Sequence, residues 1–404
     1  MIQKVNVMTL EQMQANLSLN KIPNCFFEIY EKIKYTYQER ANLILSASFI
    51  ENNLLKHHIL TQYQELIQTA AEKIKNNPSL CLLLCLVEEY VKMGGNTCSD
   101  EYTEPKGEGI EYDFFHLFPA IPTIKSSIAY LKNRNVPDKV IYDTMREYDT
   151  CVQTCCSTLG RPAFDKGRLG WIKILIHNSL IRIGRLKYEI PQKRNTLFIK
   201  VYQNKEGMLA VFADGVSVHK DGMILGAPGF EKKEGSFYTE CSETNTFIIG
   251  HLVKNGLIEN KKTTFHKKDW KLILSKDDPV INIHIPSDGK FDQETIEQSF
   301  KQAREIFNHC YPDYPYKAFY CASWLMSVSL QTLLKPTSNI LNFQKNFTLF
   351  PYPAYGTGVF QFVFPKQGIP DDYNTLPEDT SLQRAVKETY LQGNYINEFS
   401  GFFI

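Results

Sequence analysis

One stretch of the chain, residues 280–347, constrains the fold more than any other. It opens with an apolar, largely β-branched run at 280–285, which predicts a strand that stops at Pro286, because proline has no N–H for a strand ladder. A short loop leads into a helical pattern, and a second apolar run at 318–322 predicts another strand. Strand, loop, helix and strand in this order predict two parallel neighbours joined by a right-handed crossover.

The helix of this unit is predicted to begin after Asp292, whose short acidic side chain suits the N-cap position. Four apolar residues recur at helical spacing and predict one buried face: Ile296, Phe300, Ala303 and Phe307. Because ligands of such units usually bind beyond the carboxyl ends of the strands, we expect a site formed by residues 284–289 and 323–324.

Three segments of this half of the chain carry a resemblance to a known family: VINIHIPSDGKF, FYCASWLM and SNILNFQKNF. They resemble the C-terminal domain of a little-characterised family of GNAT-like N-acyltransferases. Members of that family have a helical N-terminal domain ahead of a GNAT-like domain. The resemblance therefore implies this two-domain fold and a possible cofactor, acetyl-coenzyme A or another acyl-coenzyme A. It implies no catalytic residues.

Length and composition limit the classes of protein. A chain of 404 residues is long enough for two domains, each with its own core. Lys and Arg (45) nearly balance Asp and Glu (44), which argues against a general nucleic-acid binder. The most apolar run, residues 80–87, is shorter than the roughly 20 residues that span a bilayer, so we expect a buried helix and no membrane partner. Ten cysteines without a recognisable secretory leader predict reduced thiols and a cytoplasmic location.

Hydrophobic periodicity divides the chain into two parts. Apolar stripes at helical spacing predict an all-helical N-terminal domain at 1–155, and a helix at 168–190 is expected at the junction. The expected fold class is α+β or α/β, with a GNAT-like mixed-sheet acyltransferase domain at 156–404. Further elements are predicted in it: an antiparallel meander at 197–202, 208–213 and 216–219, a helix near 243–255, strands at 270–274, 347–350 and 359–364, and a last helix at 381–391.

The candidate residues are chosen by what acyl transfer from a thioester to an amine requires. The reaction needs a strand along which pantetheine lies, backbone N–H groups for the pyrophosphate, a base for the amine and a proton for the leaving thiolate. The candidate base is His284, and the candidate proton donors are Ser323 and Tyr320. The candidate cofactor-binding residues follow the predicted strand and its loop: Ile283, Ile285, Ser287, Gly289 and Lys290.

The same residues support a second hypothesis. GNAT enzymes carry an Arg/Gln-x-x-Gly-x-Gly/Ala run at this loop, and no such run occurs in the chain. Three acidic residues lie near the start of the following helix, where they would repel a pyrophosphate: Asp288, Asp292 and Glu294. His284 would then be a half-buried strand histidine, and Ser323 would only end its strand. The alternative to an N-acyltransferase acting on a small-molecule amine is therefore a non-catalytic GNAT-like module that binds a metabolite or a protein partner.

Other chemistries find little support in the sequence. Cys151 and Cys155 would share a helix face, but neither a CxxC nor an HExxH run accompanies them, so no metal site is predicted. No G-x-S-x-G elbow of a serine hydrolase occurs. The oligomeric state is left open by the sequence.

Overall fold

The structure is a computed structural model that describes residues 7–93, 102–191 and 197–404. It divides into two compact units, Met1–Arg182 and Ile183–Ile404. The division lies inside the first strand, whereas the predicted boundary between residues 155 and 156 lies inside a helix of the first unit. We describe each unit by itself.

The described part of the first unit is helical, as predicted. Its α-helices, in chain order, are α1 (Leu10–Asn16), α2 (Cys25–Ile33), α3 (Tyr37–Ile44), α4 (Ala47–Asn53), α5 (Gln64–Lys75), α6 (Pro78–Lys92), α7 (Ile110–Asp113), α8 (Ile124–Asn133), α9 (Asp138–Met145), α10 (Glu147–Leu159) and α11 (Lys166–Ile176).

Helix α6 lies at the centre of this unit and packs against α1, α2, α3 and α5. It begins sharply because the Asn77 side chain accepts the N–H groups of Ser79 (3.1 Å) and Leu80 (3.2 Å), with Pro78 in the first turn. Every residue from 80 to 87 is buried, which is the pattern of a helix surrounded by others. The prediction of a buried helix here is confirmed.

The predicted helix at 168–190 is wrong beyond Ile176. Helix α11 ends there, Asn178 takes a left-handed conformation (φ 59°), and two short strands follow: β1 (Leu180–Ile183) and β2 (Leu186–Glu189). The apolar residues of this segment fit a helix period, but they also alternate at period two on either side of Gly184, whose φ of 59° makes the turn.

The second unit is built on two larger sheets and one pair of strands. Its further strands are β3 (Ile199–Asn204), β4 (Leu209–Ala213), β5 (Ser217–Val218), β6 (Phe237–Tyr238), β7 (Ser242–Glu243), β8 (Phe247–Lys254), β9 (Leu257–His266), β10 (Trp270–Leu274), β11 (Val280–His284), β12 (Ala318–Ser323), β13 (Thr348–Pro351) and β14 (Phe399–Phe403). Its α-helices are α12 (Gln293–Cys310), α13 (Leu330–Leu333), α14 (Asn339–Gln344), α15 (Gly358–Val363) and α16 (Ser381–Leu391).

The first sheet has the strand order β1-β2-β11-β12-β14-β13, and the second has the order β10-β3-β4-β8-β7 with β9 also paired to β8. Strands β11 and β12 are parallel, as predicted, while β2, β14 and β13 pair antiparallel to their neighbours. One apolar cluster contains residues of both sheets: Leu197, Ile199, Val201, Val211, Leu274, Val280, Ala318, Phe350 and Phe402.

Helix α12 covers the other face of the first sheet through the predicted apolar stripe, since Ile296, Phe300, Ala303 and Phe307 are all buried. The ring of Phe307 lies 6.0 Å from that of Tyr188 on β2, between ring centres. Asp292 caps the helix, because its Oδ1 accepts the Thr295 N–H at 3.0 Å. Strand, loop, helix and strand are therefore confirmed as the organising unit of this domain.

Three predictions in the second unit are wrong. The third strand of the expected meander, β5, pairs with β6 and not with β4. The strand that pairs with β4 on the side away from β3 is β8. The helix expected near 243–255 is strand β8, which turns into β9 at Asn255 (φ 50°) and Gly256 (φ 82°), the signature of a tight hairpin. Residues 359–364 are largely helical (α15), with Val359, Phe360 and Val363 buried at helical spacing.

One cysteine departs from the prediction made for all of them. Cys25 is disulfide-bonded and so departs from the predicted reduced thiols, whereas the other cysteines that the structure describes carry free thiols. The prediction of reduced thiols rested on the lack of a recognisable secretory leader, and the disulfide at Cys25 contradicts it at that residue. Across the described ranges, no helix is both long enough and apolar enough to cross a membrane.

Candidate functional site

The parallel strands β11 and β12 stop pairing before either strand ends. Their register runs from Val280 opposite Ala318 to Asn282 opposite Tyr320. Beyond that point β11 continues to His284 in register with β2, and β12 continues to Ser323 in register with β14. The two strands therefore no longer pair with each other at their carboxyl ends, which is the end of such a unit where ligands usually bind.

His284 lies at this strand end beside a carboxylate. Its Nε2 lies 2.7 Å from Oε2 of Glu189 on the neighbouring strand β2, and the Asn282 side-chain amide donates to the same oxygen at 3.3 Å. The His284 side chain is 31% exposed and that of Glu189 is 17% exposed. A carboxylate beside Nε2 orients the imidazole ring, which is the arrangement of a histidine base held in place by an acidic partner.

The environment of Glu189 favours its ionised form. Burial raises the pKa of this carboxyl group, but the hydrogen bond and charge of His284, together with the amide of Asn282, outweigh burial and leave the pKa below its ordinary value of 4.5. Glu189 is therefore an anion at neutral pH and can stabilise a protonated His284.

The loop after β11 is held by hydrogen bonds from Arg185, which lies in the turn between β1 and β2. This arginine is buried (8% exposed). Its Nε donates to the carbonyl of Lys290 at 2.6 Å, and its Nη2 donates to the carbonyl of Pro286 at 2.9 Å. The guanidinium lies 5.3 Å from the ring centre of Phe291. Both ends of the 286–290 loop are thus tied to the β1–β2 hairpin.

The predicted cofactor-binding residues follow this strand and loop in order. Ile283 is buried within β11, Ile285 is half-buried just after the strand, and three residues of the loop are exposed: Ser287, Gly289 and Lys290. Gly289 has φ 80°, which favours glycine, and no heavy atom lies within 4 Å of the place that a Cβ would take.

The two predicted proton donors lie on β12 and already have hydrogen-bond partners. The Tyr320 hydroxyl lies 2.6 Å from Oγ of the buried Ser400, and burial raises the pKa of Tyr320 above its ordinary value. The Ser323 hydroxyl accepts the N–H of Leu325 at 3.2 Å and caps the turn after the strand. These contacts account for both residues structurally, and their catalytic roles stay predictions.

The family is decided by the second unit. Residues 180–403 match the model of the family described as the GNAT-like C-terminal domain, which is more than half of the chain. The chain belongs to this GNAT-like family. No curated protein matches it.

Solved acyltransferases share the fold. An acyltransferase in complex with decanoyl-CoA and teicoplanin is 16% identical, covers 98% of this chain and 99% of its own, and superposes with a TM-score of 0.59. An acyltransferase in complex with CoA and 10C-teicoplanin has the same identity and coverage and a TM-score of 0.60. An acyltransferase mutant in complex with octanoyl-CoA is 17% identical over 87% of this chain and 86% of its own, with a TM-score of 0.56. At these identities the likeness is one of fold.

Trp324 belongs to the core of this GNAT-like domain. It is 6% exposed and lies in an apolar cluster with residues of α13, α15 and α16, among them Leu330, Phe360 and Tyr390. Trp324, which was expected to help form the site at 323–324, is therefore a core residue and not a candidate for substrate contact.

Sequence reasoning missed Glu189 and Arg185. Both were placed in the predicted junction helix, where neither would meet β11. The pairing of β2 with β11 brings Glu189 to His284, 95 positions away in the sequence, and Arg185 to the carbonyl of Lys290, 105 positions away. The signal that could have found them is the period-two alternation on both sides of Gly184.

Metal ligation has no geometric support in the part of the chain that the structure describes. Among those residues, no group of three or more His, Cys, Asp or Glu side chains could hold an ion. Cys155 lies on α10 and its Sγ is 3.6 Å from an oxygen of Asp165, which is a hydrogen-bonding contact between two side chains.

Proposed function

We propose that this protein is an N-acyltransferase that moves an acyl group from acyl-coenzyme A to the amine of a small molecule. The observation that carries the proposal is the end of the β11–β12 register at Asn282, beside the His284–Glu189 pair. Acyltransferases that hold CoA and acyl-CoA share this fold, which supports acyl-coenzyme A as the acyl donor.

The donor is proposed to lie along β11 and its loop. Pantetheine follows the backbone of Ile283 and Ile285, and the diphosphate meets the loop that contains Ser287, Gly289 and Lys290. The solved acyltransferases include complexes with octanoyl-CoA and with decanoyl-CoA, so we infer a medium-length acyl chain for this protein and keep acetyl-CoA as the comparison.

The chemistry assigns one role to each group. The amine nitrogen attacks the thioester carbonyl carbon, the C–S bond breaks, and an amide forms. His284 takes the proton that the amine loses, and the ionised Glu189 stabilises the resulting imidazolium. Ser323 or Tyr320 is the proposed donor of a proton to the leaving thiolate.

A thermal-shift titration tests the donor. Decanoyl-CoA, acetyl-CoA, CoA and ATP are compared, since a ligand at about a hundred times its dissociation constant adds about 2.7 kcal/mol to stability. We expect the largest shift with decanoyl-CoA, smaller shifts with acetyl-CoA and CoA, and none with ATP. Absence of any shift with the three coenzyme A compounds would overturn the proposed function.

A thiol-release assay then tests turnover against an amine panel, which includes small amines and teicoplanin because one solved acyltransferase holds that compound. His284→Ala is expected to lower kcat by about 10²- to 10⁴-fold, the usual contribution of a general base. Decanoyl-CoA binding should be retained in this variant, because the imidazole is needed for the proton and not for the cofactor.

One observation favours the second candidate, a non-catalytic module that binds a metabolite or a protein. The Asp292 carboxylate occupies the N-terminus of α12, where it accepts the Thr295 N–H. That hydrogen bond lowers the pKa of Asp292, so the group is an anion where a diphosphate would approach. Binding of decanoyl-CoA without turnover of any amine would favour this candidate.

A further inference from the structure

A buried arginine supports the loop at which we place the diphosphate, although that loop lacks the Arg/Gln-x-x-Gly-x-Gly/Ala run of GNAT enzymes. We propose that Arg185 is a positioning residue for the donor: it fixes the 286–290 loop so that N–H groups on the far side of the loop receive the diphosphate of coenzyme A. This inference rests on the proposed function.

The direction of the loop's N–H groups follows from the contacts of Arg185. In a trans peptide, the C=O of one residue and the N–H of the next point in opposite directions. No peptide bond in the described ranges is cis. Because the carbonyls of Pro286 and Lys290 accept hydrogen bonds from Arg185, the N–H groups of Ser287 and Phe291 point away from the guanidinium. Two donors thus point to the side opposite the arginine.

The guanidinium suits this task better than an ammonium group. Its N–H donors are fixed in one plane, so Nε and Nη2 hold two carbonyls at set directions, and the charge is retained at any physiological pH. The carbonyls belong to residues four positions apart, so one side chain closes the loop at both ends. Packing against the Phe291 ring fixes the plane of the guanidinium.

Charge supports the same assignment. The carboxylates of Asp288 and Asp292 lie near the proposed diphosphate and oppose it. Arg185 and Lys290 supply two positive charges to the loop. A buried cation is felt more strongly than an exposed one, because little water screens it. Arg185 therefore offsets the acidic residues and also shapes the loop.

The outer side of the loop tip is open. A Cβ placed on Gly289 would meet no heavy atom within 4 Å, apart from its chain neighbours. Ser287, Gly289 and Lys290 are all exposed. The loop tip is thus open to solvent, so that an anion can reach it.

The chain offers a matched control for a merely structural arginine. Arg304 on α12 also donates to a backbone carbonyl, that of Ile404 at 2.8 Å. It also lies over aromatic rings, 5.4 Å from the ring centre of Phe319 and 5.3 Å from that of Phe403. Replacing Arg304 by lysine therefore removes contacts of the same kind at a place that the donor is not proposed to touch.

Calorimetric titrations of the full chain separate these roles. Wild type, Arg185→Lys and Arg304→Lys are titrated with decanoyl-CoA and with S-decanoylpantetheine, the same thioester without diphosphate and nucleotide. We expect Arg185→Lys to lower the affinity for decanoyl-CoA about tenfold or more, since the charged hydrogen bonds of the loop depend on its shape. The affinity for S-decanoylpantetheine should stay within about twofold of the wild-type value. Arg304→Lys should change neither affinity.

The inference is overturned if the ratio of the affinities for decanoyl-CoA and S-decanoylpantetheine is the same in Arg185→Lys as in wild type. This holds whether both affinities fall together or neither changes. Melting curves show whether the variant folds. If it does not, Gly289→Ala displaces the same loop from its exposed side, because φ 80° is strained for alanine, and an unchanged ratio there overturns the inference too. If wild type binds neither thioester, the proposed function fails and the inference with it.

Discussion

His284 and Glu189 are the two residues on which the proposed chemistry depends. The pair exists because β2 and β11 are antiparallel neighbours, which places Asn282 opposite Glu189 and His284 opposite Lys187. A histidine at a strand end is a common structural residue, and the carboxylate 2.7 Å away is what makes this one a candidate base.

The lowered pKa of Glu189 predicts how Glu189→Gln changes stability with pH. The folded state prefers the ionised carboxyl, so the contribution of Glu189 is fully present above about 4.5 and is lost as the pH falls through the lowered pKa. At pH 7 we expect the variant to be less stable by about 1.5–3 kcal/mol, the usual contribution of a hydrogen bond to a charged group. Urea denaturation between pH 7 and the acid limit should show this difference shrinking.

Glu398 provides a control of opposite sign. Burial raises the pKa of Glu398, although the N–H of Gly358 hydrogen-bonds to its carboxylate and opposes the shift. Its ionised form therefore disfavours folding, and the wild type gains stability as the pH falls through that raised pKa. Glu398→Gln should thus be the more stable protein at neutral pH, with a benefit that fades in acid. Identical pH dependence in the two variants would contradict at least one of the two assignments.

At the scale of elements, the organising unit is the run β11, loop, α12 and β12. The loop takes its shape from the β1–β2 hairpin through Arg185, and the helix takes its start from Asp292. Helix α12 is held on the sheet by its apolar face, and this packing does not involve the N-cap residue Asp292. The charge at the helix start can therefore be changed without removing the helix.

Asp292→Asn tests the charge at this element. Asparagine caps a helix about as well as aspartate, so the melting temperature should change little. Loss of the negative charge should tighten decanoyl-CoA binding by about two- to fivefold at low salt, with the gain disappearing as salt is added. Calorimetry at two ionic strengths measures this. Asp292→Ala, which also removes the cap, separates the charge from the capping; an unchanged affinity in Asp292→Asn would place the diphosphate elsewhere.

At the scale of the whole molecule, the chain consists of two compact units, divided between Arg182 and Ile183. The first has its own core around α6, and the second has its own core between two sheets. The segment that was expected to be one helix at 168–190 contains most of α11 and the strands β1 and β2, and the division between the units falls inside β1. The β1–β2 hairpin therefore belongs structurally to the sheet that carries the candidate site.

Fragments of the chain test this division. A fragment of residues 178–404 keeps β1, β2 and Arg185 and should unfold in one cooperative transition. A fragment of residues 190–404 loses the two strands beside β11, exposing the edge of that strand, and should be far less stable or aggregate. Circular dichroism melts of the two fragments decide this. Equal stability of both fragments would show that the hairpin is not part of the folding unit.

The sequence by itself determined the features that depend on near neighbours along the chain. The β-branched run at 280–285, the cap at Asp292 and the stripe on α12 were predicted because turns, caps and periodicity are local. The resemblance of this half to a GNAT-like family gave the fold class, which the family match confirms.

Only the tertiary structure decided what lies beside what. The apolar pattern at 180–188 fits a helix and a hairpin alike, and the segment forms the hairpin whose second strand pairs with β11 in the sheet. Glu189 and Arg185 reach the strand end and its loop from about a hundred positions away. Such contacts arise from strand pairing, a non-local choice that no local pattern in one sequence specifies. The fold class could therefore be predicted from the sequence, whereas the residues of the candidate site come together only through strand pairing in the sheet.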